Sequence, residues 1–83
     1  MRIAVGSDDT YYIAKFIYEY LEKKGHELIP VGALKTGRLK PWPKVGFEVG
    51  KLVAEGKADM EIVICYTGIG VSIAANKVKG QDL

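Results

Sequence analysis

The sequence predicts an α/β protein: a three-layer α/β/α arrangement around an open parallel sheet with strand order 2-1-3. Three observations carry this expectation. Short apolar runs alternate with amphipathic stretches in the order β-α-β-α-β-α. The last of these runs, Met60-Glu61-Ile62-Val63-Ile64-Cys65, is rich in β-branched residues, as suits a strand buried on both faces. Right-handed crossovers then place the first strand between the other two. With 83 residues and no internal repeat or linker, the chain reads as a single domain, residues 1–83.

The elements follow in order. Ile3 to Val5 form a short strand ending at Gly6-Ser7-Asp8-Asp9-Thr10, a cluster able to stop a strand and cap a helix. From Tyr11 to Lys24 the apolar residues Ile13, Phe16, Ile17, Tyr20 and Leu21 recur at helical spacing, with Lys15, Glu19, Glu22 and Lys23 on the other side. Tyr11, Tyr12, Tyr18 and Tyr20 read as parts of that helix face. Gly25 is placed to end the helix in the left-handed conformation. His26 to Gly32 is a second strand, and Pro30, which has no N–H, assigns it to the sheet edge.

Ala33 to Lys40 lacks either periodicity and reads as a loop. Trp42-Pro43 opens a second helix with Val45, Val49, Leu52 and Val53 as its apolar stripe. Gly46 and Gly50 each weaken it by about 1 kcal/mol, which close packing would offset. After the buried strand, Gly68-Ile69-Gly70 reads as a turn, and Val71 to Val78 as a third helix.

Composition excludes several classes. At 48% hydrophobic and 27% charged residues the chain lacks the bias of a disordered or fibrous sequence. No apolar stretch approaches the ~20 residues of a bilayer span, and the N-terminal residues lack a leader pattern. The expectation is a soluble, cytoplasmic protein with no membrane association. A net charge of +2 without a basic stripe argues against nucleic acid. The single Cys65 and single His26, far apart, offer neither an internal disulfide nor a metal cluster.

In open parallel sheets, ligands bind at the carboxyl ends of the strands, where the winding direction reverses. Here that crevice brings Gly6-Ser7-Asp8-Asp9 opposite Cys65-Tyr66-Thr67-Gly68-Ile69-Gly70. Glycines at 68 and 70 allow backbone N–H groups to face an anion or oxyanion, although the dinucleotide fingerprint fails because its third glycine position holds Ile73. Cys65 has two readings: a small hydrophobe buried at a strand end, or a thiolate favoured by a helix N-terminus and able to act as base or nucleophile. Asp8 and Asp9 read as helix caps or as ligand-binding carboxylates. Trp42 reads as a packing anchor or as a platform for a sugar. Lys35, Arg38, Lys40 and Lys44 form a solvated basic loop able to attract a phosphate.

These segments resemble the type B ribose-5-phosphate isomerases and their galactose-6-phosphate isomerase relatives. The resemblance begins at Ile3-Ala4-Val5-Gly6-Ser7-Asp8 and continues through Tyr20-Leu21-Glu22-Lys23-Lys24-Gly25-His26-Glu27. It is closest from Ile64-Cys65 through Thr67-Gly68-Ile69-Gly70 to Ser72-Ile73-Ala74-Ala75-Asn76-Lys77-Val78. It covers nearly all of this chain but about the first half of a typical member, so a Rossmann-like fold truncated relative to the family is expected.

The resemblance implies an aldose–ketose isomerase of sugar-phosphate and pentose phosphate metabolism, with Cys65 as the base moving a proton between C1 and C2 through an enediolate. Thr67 would assist that transfer, the amides from Gly68 through Ile69 to Gly70 would hold the oxyanion, and Asp8 would bind substrate hydroxyls. No metal or organic cofactor is implied. The expected partners are a phosphorylated sugar and further copies of the chain, as a homodimer or higher oligomer, or a second chain completing the site. The chain departs from the family pattern at Asp9, where a histidine is usual, at Thr10 and Tyr11, where small residues are usual, and at Tyr66, where a glycine is usual. Those departures motivate an alternative: a non-catalytic sugar-phosphate-binding or partner subunit. A flavodoxin-like nucleotide module is a third reading, resting on architecture alone.

Overall fold

The first apolar run folds as strand β1 (Arg2–Ser7), buried from Ile3 to its end. It is followed by helix α1 (Tyr12–Lys23), strand β2 (Glu27–Gly32), a one-turn helix α2 (Ala33–Thr36), helix α3 (Trp42–Ala54), strand β3 (Met60–Cys65) and strand β4 (Gly68–Ile73). The structure is a computed structural model and describes residues 1–66 and 68–73.

The sheet order is β2-β1-β3-β4. β1 runs parallel to β2 on one side and to β3 on the other, so the expected 2-1-3 arrangement is present. The period-2 alternation of a strand distributes the core over both faces. Ile3 and Val5 of β1, with Ile62 and Ile64 of β3, pack under Ala14, Ile17 and Leu21 of α1. Ala4 and Val31 pack under Val45 and Val49 of α3. Gly6 makes that second contact possible. A Cβ built there would lie 2.6 Å from Val45 Cγ1 and 2.9 Å from Val49 Cγ1, so any side chain would push α3 off the sheet.

At the amino end of the sheet, Arg2 and Asp59 tie β1 to the start of β3. The Arg2 amide donates to Asp59 Oδ2 at 3.0 Å, and the Asp59 amide donates to the Arg2 carbonyl at 2.8 Å. Behind β3, the carboxyl of half-buried Glu61 is pushed above the usual carboxylate range by burial. A Cβ on Gly50 of α3 would stand 3.8 Å from Glu61 Oε2, an ordinary contact, so packing does not require this glycine. Gly46 has no neighbour within 4 Å of such a Cβ, so packing does not account for it.

Four expectations are corrected. The sheet is mixed, because β4 pairs antiparallel with β3, setting Gly68 opposite Cys65 and Val71 opposite Ile62. Val71 to Ile73 therefore belong to a strand and not to a third helix, and the remainder of that expected helix, residues 74–78, lies outside the described residues. Alternation was the signal passed over: Ile69, Val71 and Ile73 are spaced by two, and β3 offers their segment a ladder of backbone partners. β4 also takes the edge of β3 that the three-stranded reading left unpaired.

The loop expected over 33–40 contains α2. Gly32 starts it at φ +69, close enough to the Ser7 carbonyl that a Cβ would collide with it. The expected cap by Asp8 or Asp9 is absent too: α1 begins after Tyr11, which is extended and makes no side-chain cap bond. Asp9 instead closes a local turn, its Oδ1 accepting from the Thr10 amide at 2.7 Å and its carbonyl accepting from the Tyr11 amide at 3.0 Å.

Candidate active site

Parallel register sets the site. The last aligned pair of β1 and β3 is Ser7 with Ile64, so the next residue on each chain, Asp8 and Cys65, emerges side by side at the carboxyl ends of neighbouring strands. Neighbouring strands lie ~4.8 Å apart, which is within the span of one small ligand group. Alternation also decides the side. Ser7 and Ile64 continue the face covered by α1, which leaves Asp8 and Cys65 on the face covered by α3.

A right-handed crossover runs α3 antiparallel to the strands, so its first residue, Trp42, arrives at this same end. The result is a cavity of about 150 Å³ lined by Asp8, Trp42, Cys65 and Tyr66. Its floor is tied down by backbone bonds. The Asp8 amide donates to the Ile64 carbonyl at 3.4 Å, and the Lys40 amide donates to the Asp8 carbonyl at 2.8 Å. Buried Ser7 donates its hydroxyl to the Asp9 carbonyl at 2.6 Å, fixing the turn that follows Asp8.

Asp8 Oδ1 is buried and has no hydrogen-bond partner among the described residues. A buried carboxylate oxygen left unpaired is costly. The half-buried Tyr11 hydroxyl stands beside the same carboxylate. Its pKa is pushed up to about 12, first by burial, then by hydrogen bonding to Asp8, and then by the negative charge of Asp8, Asp9 and Cys65. It therefore stays protonated and remains a donor at any physiological pH.

Of the residues predicted from sequence, the structure brings Asp8, Cys65 and Tyr66 together around one cavity. Asp9 sits one residue behind, with its carboxylate engaged by the Thr10 amide. Gly68, Ile69 and Gly70 pair with Cys65, Ile64 and Val63 as the start of β4, and they do not open a helix. Thr67 lies outside the described residues. Two more residues enter: Trp42, which the sequence left as either a packing anchor or a sugar platform, and Tyr11, which it placed on the helix face. Trp42 is 64% exposed, so it is a wall of the cavity and not a packing anchor. Tyr11 precedes α1 and serves Asp8, whereas periodicity had counted it on the helix face. Its signal was the run Asp8-Asp9-Thr10-Tyr11, in which an aromatic donor follows two carboxylates.

A larger hollow of about 550 Å³ lies between α1 and α2, lined by Tyr11, Tyr18, Ala33 and Leu34 among others. It contains no cysteine or histidine, and the chemistry points to the smaller cavity. Among the described residues, no group of three or more His, Cys, Asp or Glu side chains is arranged to hold a metal ion. None of the described helices is long and apolar enough to cross a membrane.

Fold and site together define a class: an open-sheet α/β protein with a thiol and a carboxylate facing one cavity at the strand ends. More narrowly, the chain belongs to the ribose/galactose isomerase family, whose family model matches residues 3–81. It is 41% identical over 81 residues to the galactose-6-phosphate isomerase subunit LacB of Clostridium acetobutylicum, covering 96% of this chain and 46% of that protein. It is 40% identical over 80 residues to ribose-5-phosphate isomerase B of Escherichia coli, covering 95% of this chain and 53% of that protein. The solved structure of Clostridium thermocellum ribose-5-phosphate isomerase B superposes with a TM-score of 0.70 at 40% identity, over 99% of this chain and 55% of that one. The chain thus spans about half the length of the relatives it matches.

Proposed function

We propose that this chain carries the proton-transfer half of an aldose–ketose sugar-phosphate isomerase of the ribose-5-phosphate isomerase B type. The observation that carries the reading is the placement of Cys65 beside Asp8 on one cavity, in a chain of this family. In the proposed reaction the Cys65 thiolate takes the proton from C2 of the open-chain aldose. The C–H electron pair becomes the C1=C2 bond, and the carbonyl oxygen becomes the enediolate oxyanion. A proton moves from the C2 hydroxyl to that oxygen, and the Cys65 thiol returns its proton to C1, leaving the ketone at C2. Base and acid are one group, so a single well-placed side chain serves both steps.

Asp8, which lines the cavity, takes a substrate hydroxyl on its carboxylate. Thr67 assists the proton transfers, and Gly68, Ile69 and Gly70 border the oxyanion next to Cys65, roles that rest on the family resemblance. Asp9 and Tyr66 meet the rest of the sugar phosphate. The remainder of the site comes from another copy of the chain or from a second chain. No cofactor takes part in this scheme.

The test is incubation with ribose 5-phosphate and with 6-phospho sugars in deuterated water. Ketose formation with deuterium entering at the transferred position supports the reading. Cys65→Ala should lower kcat by roughly 10²–10⁴-fold, the usual worth of a positioned base. Turnover and exchange that persist in Cys65→Ala would remove Cys65 from the role.

A second reading is favoured by one feature. Asp8 lines the cavity and Asp9 follows it, and two carboxylates at this strand end disfavour a bound phosphate. On that reading the chain binds a sugar phosphate without turning it over. Calorimetric binding with no deuterium exchange would select it.

A further inference from the structure

One wall of the cavity has no part in the chemistry just described. Trp42 is the only tryptophan of the chain and is 64% exposed. An indole left in water at a helix start does nothing for the core, yet this one is held firmly. Pro41 before it has φ −59 and ψ 132, and Pro43 follows it, so the backbone on both sides is stiff. The Pro41 carbonyl accepts from the Lys44 amide at 3.0 Å and from the Val45 amide at 3.2 Å. The Lys40 amide, two residues upstream, is bonded to the carbonyl of Asp8, which lines the same cavity as Trp42. Tyr66, 89% exposed, lines the cavity as well.

A polyol chain has hydroxyls on some of its faces and C–H bonds on others. The cavity offers the matching pair: the carboxylate residue Asp8 and the exposed aromatic surface of Trp42 among its lining. We propose that Trp42 is a specificity-determining residue that stacks on the C–H face of the ligand's carbon chain while Asp8 holds a hydroxyl, with Tyr66 lining the same cavity. This inference rests on the sugar-phosphate reading above and adds the group that selects the carbon skeleton over the phosphate alone.

The experiment measures the dissociation constants of ribose 5-phosphate and of inorganic phosphate by calorimetry, for the intact chain and for Trp42→Phe and Trp42→Ala. The intrinsic fluorescence of Trp42 is followed in parallel. Trp42→Ala should weaken ribose 5-phosphate by about tenfold, equivalent to about 1.4 kcal/mol, and should leave inorganic phosphate unchanged. Trp42→Phe, which keeps a ring face and guards against a folding defect, should retain most of the affinity. The fluorescence should respond saturably to the sugar phosphate and not to phosphate. Equal affinity for ribose 5-phosphate in wild type and Trp42→Ala would overturn the inference and leave the sugar-phosphate reading standing. Absence of binding by the wild type to any phosphorylated aldose would overturn both.

Discussion

At the scale of single residues, the site sets acidic groups beside a hydroxyl that keeps its proton. Asp8, Asp9 and Cys65 bring acidic groups to the ends of two neighbouring strands, and the Tyr11 hydroxyl is the donor placed among them. With its pKa pushed up to about 12, Tyr11 should give a late step in an ultraviolet titration, and Tyr11→Phe should remove that step. The sign for stability follows. The unfolded chain releases this proton near the ordinary value of 10.0 and the folded chain holds it, so stability is full below about pH 10 and falls as pH rises towards about 12. Denaturant unfolding across that range should show the fall in wild type and a smaller one in Tyr11→Phe; equal slopes would contradict the assignment. Cys65 and Asp8 were legible in the sequence because both end apolar runs. Tyr11 was not, because helical spacing cannot tell a residue on a helix face from one held just before it.

At the scale of elements, the close contact of α3 with β1 fixes where Trp42 can stand, and Gly6 permits it. Gly6→Ala would drive a methyl group into Val45 and Val49. Overpacking of this kind costs about 1–3 kcal/mol. The expected outcome is a lowered midpoint in urea, together with weaker sugar-phosphate binding as the start of α3 moves away from Asp8. An unchanged midpoint would show that α3 shifts at no cost. β1, α1, β2, α3 and β3 were all readable from periodicity and end signals, and their observed limits follow those signals closely. β4 was not. Its residues are small and apolar at alternate positions, so local preference does not separate strand from helix, and only the backbone groups offered by β3 decide the outcome.

At the scale of the whole molecule, a chain of 83 residues leaves much apolar surface in water. Tyr12, Phe16, Tyr20 and Phe47 are all more than half exposed, and Ile69 and Val71 add to the apolar surface along β4. Exposed apolar surface of this extent is characteristic of association. Sedimentation should find a species heavier than the 9.1 kDa monomer, and a single monomeric boundary would oppose the oligomeric part of the proposal. The sequence by itself determined the α/β class, the 2-1-3 core of the sheet and the two strand ends that carry Cys65 and Asp8, because each follows from local periodicity and the handedness of crossovers. Tertiary structure alone decided that β4 closes the edge of β3, that Asp8 keeps an unpartnered oxygen, and that Trp42 and Tyr11 belong with the site. Those outcomes depend on which groups are brought together by packing and register, in the β3–β4 pairing and beside Asp8 as much as at distant Trp42.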